Sequence, residues 1–231
     1  MRNNKPLILA LTLVAPIAQG QGGFQNLGFE SAHLTPIPLG QFGGFVPVGQ
    51  ALPGWSGFLG SLQVTEVLQN NLTAGGANIS IFGPDWTGPE IIEGRYSVVL
   101  QAGSKFSGYV DASISQTGLI PVGTESIQLK VYGSDFSVSF AGQNIPLIPL
   151  SAGSNYTLYG GDIAPYAGQT GELTISGLRD PTRFNSVSVD SILFSTEVVP
   201  EPSVLGLLAI GLSILGWRFF SNRRVKERVV L

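Results

Sequence analysis

The middle of the chain alternates. In Ser126-Ile127-Gln128-Leu129-Lys130-Val131-Tyr132 the apolar side chains Ile127, Leu129 and Val131 take every second place, and Phe136, Val138 and Phe140 do the same around Ser137 and Ser139. Because successive side chains on a strand point to opposite faces, a period of two predicts strands with one buried face. Gly133-Ser134-Asp135 lies between the two runs and predicts a hairpin with a short glycine-containing turn. Similar patterning predicts strands over Phe24–Phe29, Leu62–Val67, Asn78–Phe82, Tyr96–Gln101, Tyr109–Ser115, Tyr156–Tyr159, Glu172–Ser176 and Ser186–Phe194. No helical period extends beyond a turn or two in this region. About ten short strands separated by Gly, Pro, Asn and Ser turns predict an all-β, antiparallel jelly-roll sandwich.

The two ends break this pattern with continuous apolar runs. Arg2 and Lys5 precede the uncharged stretch from Pro6 to Ala18, the layout of a secretory signal peptide and too short to span a bilayer. The small residues at Ala18 and Gly20 place cleavage by signal peptidase after Gly20, with Ala18 as the alternative. At the other end, Pro200-Glu201-Pro202 leads into an apolar run from Ser203 to Phe220, with no charge before Arg218. Eighteen helical residues reach roughly 27 Å, close to the thickness of a bilayer's hydrocarbon core, which predicts a transmembrane helix. Arg218, Arg223, Arg224, Lys226 and Arg228 cluster at its far side. Cations resist passage through lipid, so this basic stop predicts a cytoplasmic C-terminus and a body outside. The division is a signal peptide over 1–20, a β-sandwich ectodomain over 21–197 and a tail over 198–231.

Charge and composition narrow the function. The body carries thirteen acidic and five basic residues, a net charge of −8, whereas the whole chain is at −3. An acidic body lacks the basic stripe that phosphate backbones require, which excludes nucleic acid as a partner. The chain has no cysteine, so neither disulfides nor thiol chemistry is available. Its 31 glycines follow no collagen-like period and fit a body rich in turns.

The tail resembles the sorting segment of the bacterial PEP-CTERM proteins, which combines a Pro-Glu-Pro motif, one hydrophobic helix and a short basic end. Here the three parts are Pro200-Glu201-Pro202, Ser203 to Phe220, and the Arg/Lys cluster. The resemblance implies an exported protein, anchored first in the inner membrane. An exosortase, a membrane transpeptidase, then cleaves near the motif and passes the body to the cell surface or extracellular matrix. Two prolines flanking Glu201 keep that backbone extended and outside any helix or strand, which suits an enzyme's cleft. A permanent single-span anchor behind a proline-rich linker is the alternative. The family context also implies exopolysaccharide as an associate.

Within the body, Gln25-Asn26-Leu27-Gly28-Phe29-Glu30, Leu52-Pro53-Gly54-Trp55, Glu93-Gly94-Arg95-Tyr96-Ser97-Val98-Val99-Leu100, Ile114-Ser115-Gln116-Thr117 and Val187-Ser188-Val189-Asp190-Ser191-Ile192-Leu193-Phe194 resemble galactose-binding-like jelly rolls, a group with many carbohydrate-binding modules. That resemblance implies a structural calcium held by Glu30 and Asp190. Calcium takes six to eight oxygen ligands, so two carboxylates supply only part of a set. The alternative is a solvated Glu30 at a strand end and an outward-facing Asp190.

Sugar binding commonly uses exposed rings with polar neighbours. Trp86, in Gly83-Pro84-Asp85-Trp86-Thr87-Gly88-Pro89-Glu90, is the candidate platform, with Asp85 and Glu90 beside it. Trp55 follows a Pro-Gly turn and heads an apolar stretch, which places it in the core, while Tyr156, Tyr159 and Tyr166 offer further rings without a defining spacing. Catalysis finds little footing. His33 is the one histidine, so multi-His metal sites are excluded, and no nucleophile elbow or phosphate-binding loop occurs. Glu90 and Glu93 are the nearest thing to the carboxylate pair of a glycosidase, and three residues apart in a loop they read more simply as solvated. Asn71, Asn78 and Asn155 each head an Asn-x-Ser/Thr triplet, which beside a bacterial sorting tail reads as chance spacing. Three function classes stand: a non-enzymatic exported surface or matrix protein, a carbohydrate-binding module, and a two-carboxylate hydrolase.

Overall fold

The computed structural model describes residues 23–38, 41–105, 108–180 and 185–199. The signal peptide and the Pro-Glu-Pro, apolar and basic parts of the tail lie outside the described residues. Among those described, no helix is long and apolar enough to cross a membrane.

The strands run β1 (Phe45–Pro47), β2 (Ser56–Leu59), β3 (Leu62–Val64), β4 (Glu66–Gln69), β5 (Asn78–Phe82), β6 (Ser97–Lys105), β7 (Gly108–Val110), β8 (Ala112–Leu119), β9 (Ser126–Tyr132), β10 (Phe136–Phe140), β11 (Gln143–Ile145), β12 (Ile148–Ala152), β13 (Thr157–Asp162), β14 (Thr170–Gly177) and β15 (Asn185–Ser195). Two sheets form a sandwich. The larger has the order β1-β4-β5-β6-β15-β9-β13-β12, with β7 also paired to β6, and the smaller has the order β11-β10-β14-β8-β2-β3. Helix is confined to one turn at Val48–Ala51 and a 3-10 turn at Ala164–Tyr166 among the described residues.

Alternation explains the core. Ile79, Ile81, Val98, Leu100, Ile127, Leu129, Val131, Val187 and Val189 point inward from the larger sheet, and Ile114, Val138, Phe140, Leu173 and Ile175 meet them from the smaller one. The sheets approach closely at Gly177, where a Cβ would stand 2.7 Å from the Leu100 carbonyl oxygen.

Several sequence expectations need correction. Phe24–Phe29 is not a strand: Asn26 and Phe29 adopt left-handed backbone (φ 52° and 58°), and Gln25 is held by the Gln116 side chain, whose Oε1 accepts from Gln25 N–H at 2.5 Å. Leu62–Val67 is divided at Thr65, so that β3 joins the smaller sheet and β4 the larger. The expected hairpin is also absent. β9 pairs with β13 and β15, β10 with β11 and β14, and Gly133-Ser134-Asp135 instead carries the chain from one sheet to the other. Both runs send their apolar residues to one core from opposite sides, which period two alone permits. Finally, β4 and β5 are parallel in an otherwise antiparallel sandwich. Their connection, residues 70–77, must therefore run back along the outside of the larger sheet.

Candidate functional site

That outer face carries the functional features. Ser80, Phe82, Ser97, Val99, Gln101, Ser188 and Asp190 alternate with core residues and so face away from the partner sheet, yet all are buried. Two segments cover them. Residues 70–77 are held by hydrogen bonds: Gln101 Nε2 donates to the Thr73 carbonyl (2.9 Å) and the Gly76 carbonyl (2.6 Å), and Ser80 Oγ donates to the Asn71 carbonyl (2.7 Å). The second cover is residues 83–96, which carry every predicted sugar-contacting residue.

Trp86 is half-buried. Its ring stands edge-on to Phe82 with centroids 4.7 Å apart, and its Nε1–H donates to Glu90 Oε2 at 2.6 Å. Trp86 and Glu90 are thus brought together, with one ring edge used inside the fold. Asp85 is exposed and accepts the Ile37 N–H through Oδ2 at 3.2 Å, which ties residues 34–38 to this loop. Asn155 Nδ2 fastens the far side by donating to the Ile91 carbonyl at 2.9 Å and the Pro89 carbonyl at 3.2 Å. Asn71 and Asn78 donate likewise to Gly43 and Thr73. All three triplet asparagines therefore serve the fold through their amides.

Glu90 and Glu93 are engaged by different partners. Glu93 forms an ion pair with Lys130 at 2.6 Å and accepts from Ser191 Oγ. The Lys130 hydrogen bond, then that of Ser191, holds its carboxyl below the ordinary carboxylate range. Trp55 is in the core as expected, 5.7 Å from the Phe29 ring, and donates its Nε1–H to the Asn26 carbonyl. His33 is an exposed loop residue, while Tyr156, Tyr159 and Tyr166 are half-buried and each is engaged: by Lys130, by Phe136 and by Phe140.

Glu30 and Asp190 flank the segment leading into β6. Glu30 Oε1 accepts the N–H groups of Arg95 (2.9 Å) and Tyr96 (3.2 Å). Asp190 faces outward from the larger sheet but is not solvated, at 1% exposure. Its Oδ2 accepts from Ser97 Oγ (2.7 Å) and Glu93 N–H (3.1 Å), and its Oδ1 from Ser191 N–H (2.6 Å). Ser191 has a φ of 50° at the register shift in β15, a bulge that locally reshapes the strand. Burial pushes the Asp190 carboxyl up to about 6, opposed by the bonds from Ser97, Ser191 and Glu93 and reinforced slightly by the Glu30 charge. Three of the four carboxylate oxygens of this pair already take protein donors. Among the described residues no group of three or more His, Cys, Asp or Glu side chains is assembled for a metal. Both side chains act here as hydrogen-bonded staples, and the two carboxylates supply only part of the six to eight oxygens that calcium takes.

Between the two covers and residues 34–36 lies a cavity of about 220 Å³. Its polar lining comes from Thr35, from Gln69 and Asn70 at the end of β4, Asp85 after β5, and Arg95 and Tyr96 before β6. Of these, sequence reasoning singled out only Asp85. Asn70 is shaped for its place by a left-handed backbone (φ 45°), which asparagine tolerates better than most residues, and by a 2.7 Å bond from Gly83 N–H to its Oδ1.

The body's two ends emerge close together. Gly23 bridges to Leu119, the Phe24 ring stands 5.1 Å from that of Phe194, and Ser126 Oγ donates to the Glu197 carbonyl at 2.7 Å. No curated protein matches the chain. Among solved structures it is similar to a carbohydrate-binding module, TmCBM61, in complex with beta-1,4-galactotriose, at 12% identity and a TM-score of 0.41 over 74% of this chain and 96% of that one. It is also similar to the enzymatically active domain of bacteriophage CBA120 tailspike protein 4, at 14% identity and a TM-score of 0.34 over 61% of this chain and 19% of that one. Residues 198–224 match the family model of the PEP-CTERM protein-sorting motif. The chain thus carries a PEP-CTERM motif immediately after its last strand, which implies an exported protein, anchored in a membrane before an exosortase sorts it.

Proposed function

We propose that this protein is a non-enzymatic surface or matrix protein whose β-sandwich is exported, held at the inner membrane with its C-terminus cytoplasmic, and released by an exosortase-type transpeptidase to associate with exopolysaccharide. The sorting motif over residues 198–224 carries this reading. Only four residues separate Ser195, the end of β15, from Pro200. Fully extended, they reach about 14 Å, so the folded body rides close to the bilayer until the tail is cut. The acidic body supports residence in a hydrated matrix, where net charge favours solubility. The separate engagement of Glu90 by Trp86 and Glu93 by Lys130 supports a binding protein over a two-carboxylate hydrolase.

The test is fractionation of the native host expressing the wild type or a Pro200→Ala/Pro202→Ala variant. The wild type is expected at the cell surface or in the matrix, and the variant in the inner membrane. Identical distributions would remove the sorting reading. In cells lacking exopolysaccharide the wild type should pass into the medium; unchanged retention would remove the association.

A further inference from the structure

We propose that the cavity between β4, the 83–96 segment and residues 34–36 is a binding site for a single neutral hexose unit, a chain end or side branch of a polysaccharide. This rests on the reading that the body associates with polysaccharide, and it names where and through which atoms.

The argument turns on hydrogen-bonding capacity left over inside the fold. Asn70 is 3% exposed, and its Oδ1 is used by Gly83, but its Nδ2 donates to no protein atom. Tyr96 is 6% exposed, and its hydroxyl likewise has no protein partner. Among the described residues no buried side-chain nitrogen or oxygen cut off from solvent lacks a partner. Both groups must therefore reach open space, and the space that both residues line is this cavity. Two side chains with hydrogen-bonding capacity unused by the protein thus line one cavity, which marks a place for a polar occupant.

The remaining lining defines that occupant. Asp85 accepts through Oδ2 from Ile37, and its Oδ1 stays free to accept. The Arg95 guanidinium lies over the Tyr96 ring at 5.5 Å and forms no ion pair among the described residues. The cavity thus presents amide and guanidinium donors, a carboxylate acceptor and a phenol able to do both. A vicinal diol matches this: each hydroxyl gives its proton to the carboxylate or phenol and takes N–H groups on its oxygen. Leu34, Pro36 and Pro84 add apolar surface, suited to the C–H face of a pyranose. One carboxylate balances one guanidinium, which favours a neutral sugar over an acidic one. At about 220 Å³ the cavity holds far more than the ~30 Å³ of a water molecule and falls below the ~300 Å³ where drug-sized pockets begin. One sugar unit fits that range.

The experiment titrates methyl glycosides of galactose, glucose, mannose and N-acetylglucosamine at millimolar concentration into the full chain in mild detergent, read by saturation-transfer NMR and calorimetry. Asn70→Asp keeps the acceptor for Gly83, removes the free donor and adds a carboxylate beside Asp85, whereas Tyr96→Phe removes only the hydroxyl and is the cleaner variant. At least one glycoside should bind, and each variant should weaken it about ten-fold, the size of one hydrogen bond. Tyr132→Phe, an exposed ring on β9, serves as the control and should bind like the wild type. If no glycoside binds, or if Tyr96→Phe binds as tightly as the wild type, the proposal is overturned. Retention on host exopolysaccharide that survives in both variants would overturn the cavity site while leaving polysaccharide association intact, whereas a wild type never retained would remove the association itself.

Discussion

Burial of Asp190 makes a pH prediction that its neighbours allow to be isolated. The carboxyl is raised from the ordinary 3.8 to about 6, chiefly by burial. An acid whose folded value is raised binds its proton more tightly in the native state, so stability is greatest below the unfolded value and declines as pH rises through the folded one. Each pH unit across that window removes about 1.4 kcal/mol, so between pH 4 and just above 6 this one group withdraws roughly 3 kcal/mol. For a body of this size that is several degrees in Tm. Glu93, held low by Lys130 and Ser191, acts in the opposite direction. The observable is therefore the difference between the wild type and Asp190→Asn, which lacks this titration. Thermal melts of both proteins in chelator, from pH 4 to 7, should show the Tm of the wild type falling relative to that of Asp190→Asn. Parallel pH profiles would refute the reasoning, and NMR titration of the Asp190 carboxyl would then locate the error.

Three further outcomes follow from the packing. Gly177→Ala places a Cβ 2.7 Å from the Leu100 carbonyl oxygen of the facing sheet and should cost about 1–3 kcal/mol, read as a lowered Tm in thermal denaturation. Trp55→Phe removes the indole donor to the Asn26 carbonyl and some ring volume; denaturant unfolding should show a loss of about 1–2 kcal/mol with an unchanged m-value. Because the Glu30 and Asp190 oxygens are taken up by backbone and hydroxyl donors, melts at neutral pH with calcium and with chelator should coincide, and a calcium-dependent rise would restore the cage that the family resemblance implied.

Much of the sandwich was legible because alternation is a local signal. Asn78–Phe82, Ser126–Tyr132 and Phe136–Phe140 have the bounds their patterns predict. What alternation cannot encode is which sheet a strand joins, so the turn at Gly133 was read as a hairpin when it changes sheets. Short or proline-containing strands such as Phe45–Pro47 and Ile148–Ala152 carry too few alternating positions to stand out. The burial of Asp190 is not legible because the outer face it occupies is covered by residues distant in sequence. The same applies to the candidate site. Asp85 and Trp86 announce themselves as polar and aromatic residues in a Gly/Pro loop, whereas Asn70 and Tyr96 matter for bonds they do not make, which emerges only once every other donor and acceptor has been paired.

The tail acts, on the proposed function, as an address removed after export. Intact-mass spectrometry of the protein recovered from the surface of its native host tests this most directly. The expected chain begins at Gln21 and ends near Pro202, with no species reaching Leu231 outside the membrane. A mature surface form that retains Leu231, in a host with an active exosortase, would contradict it.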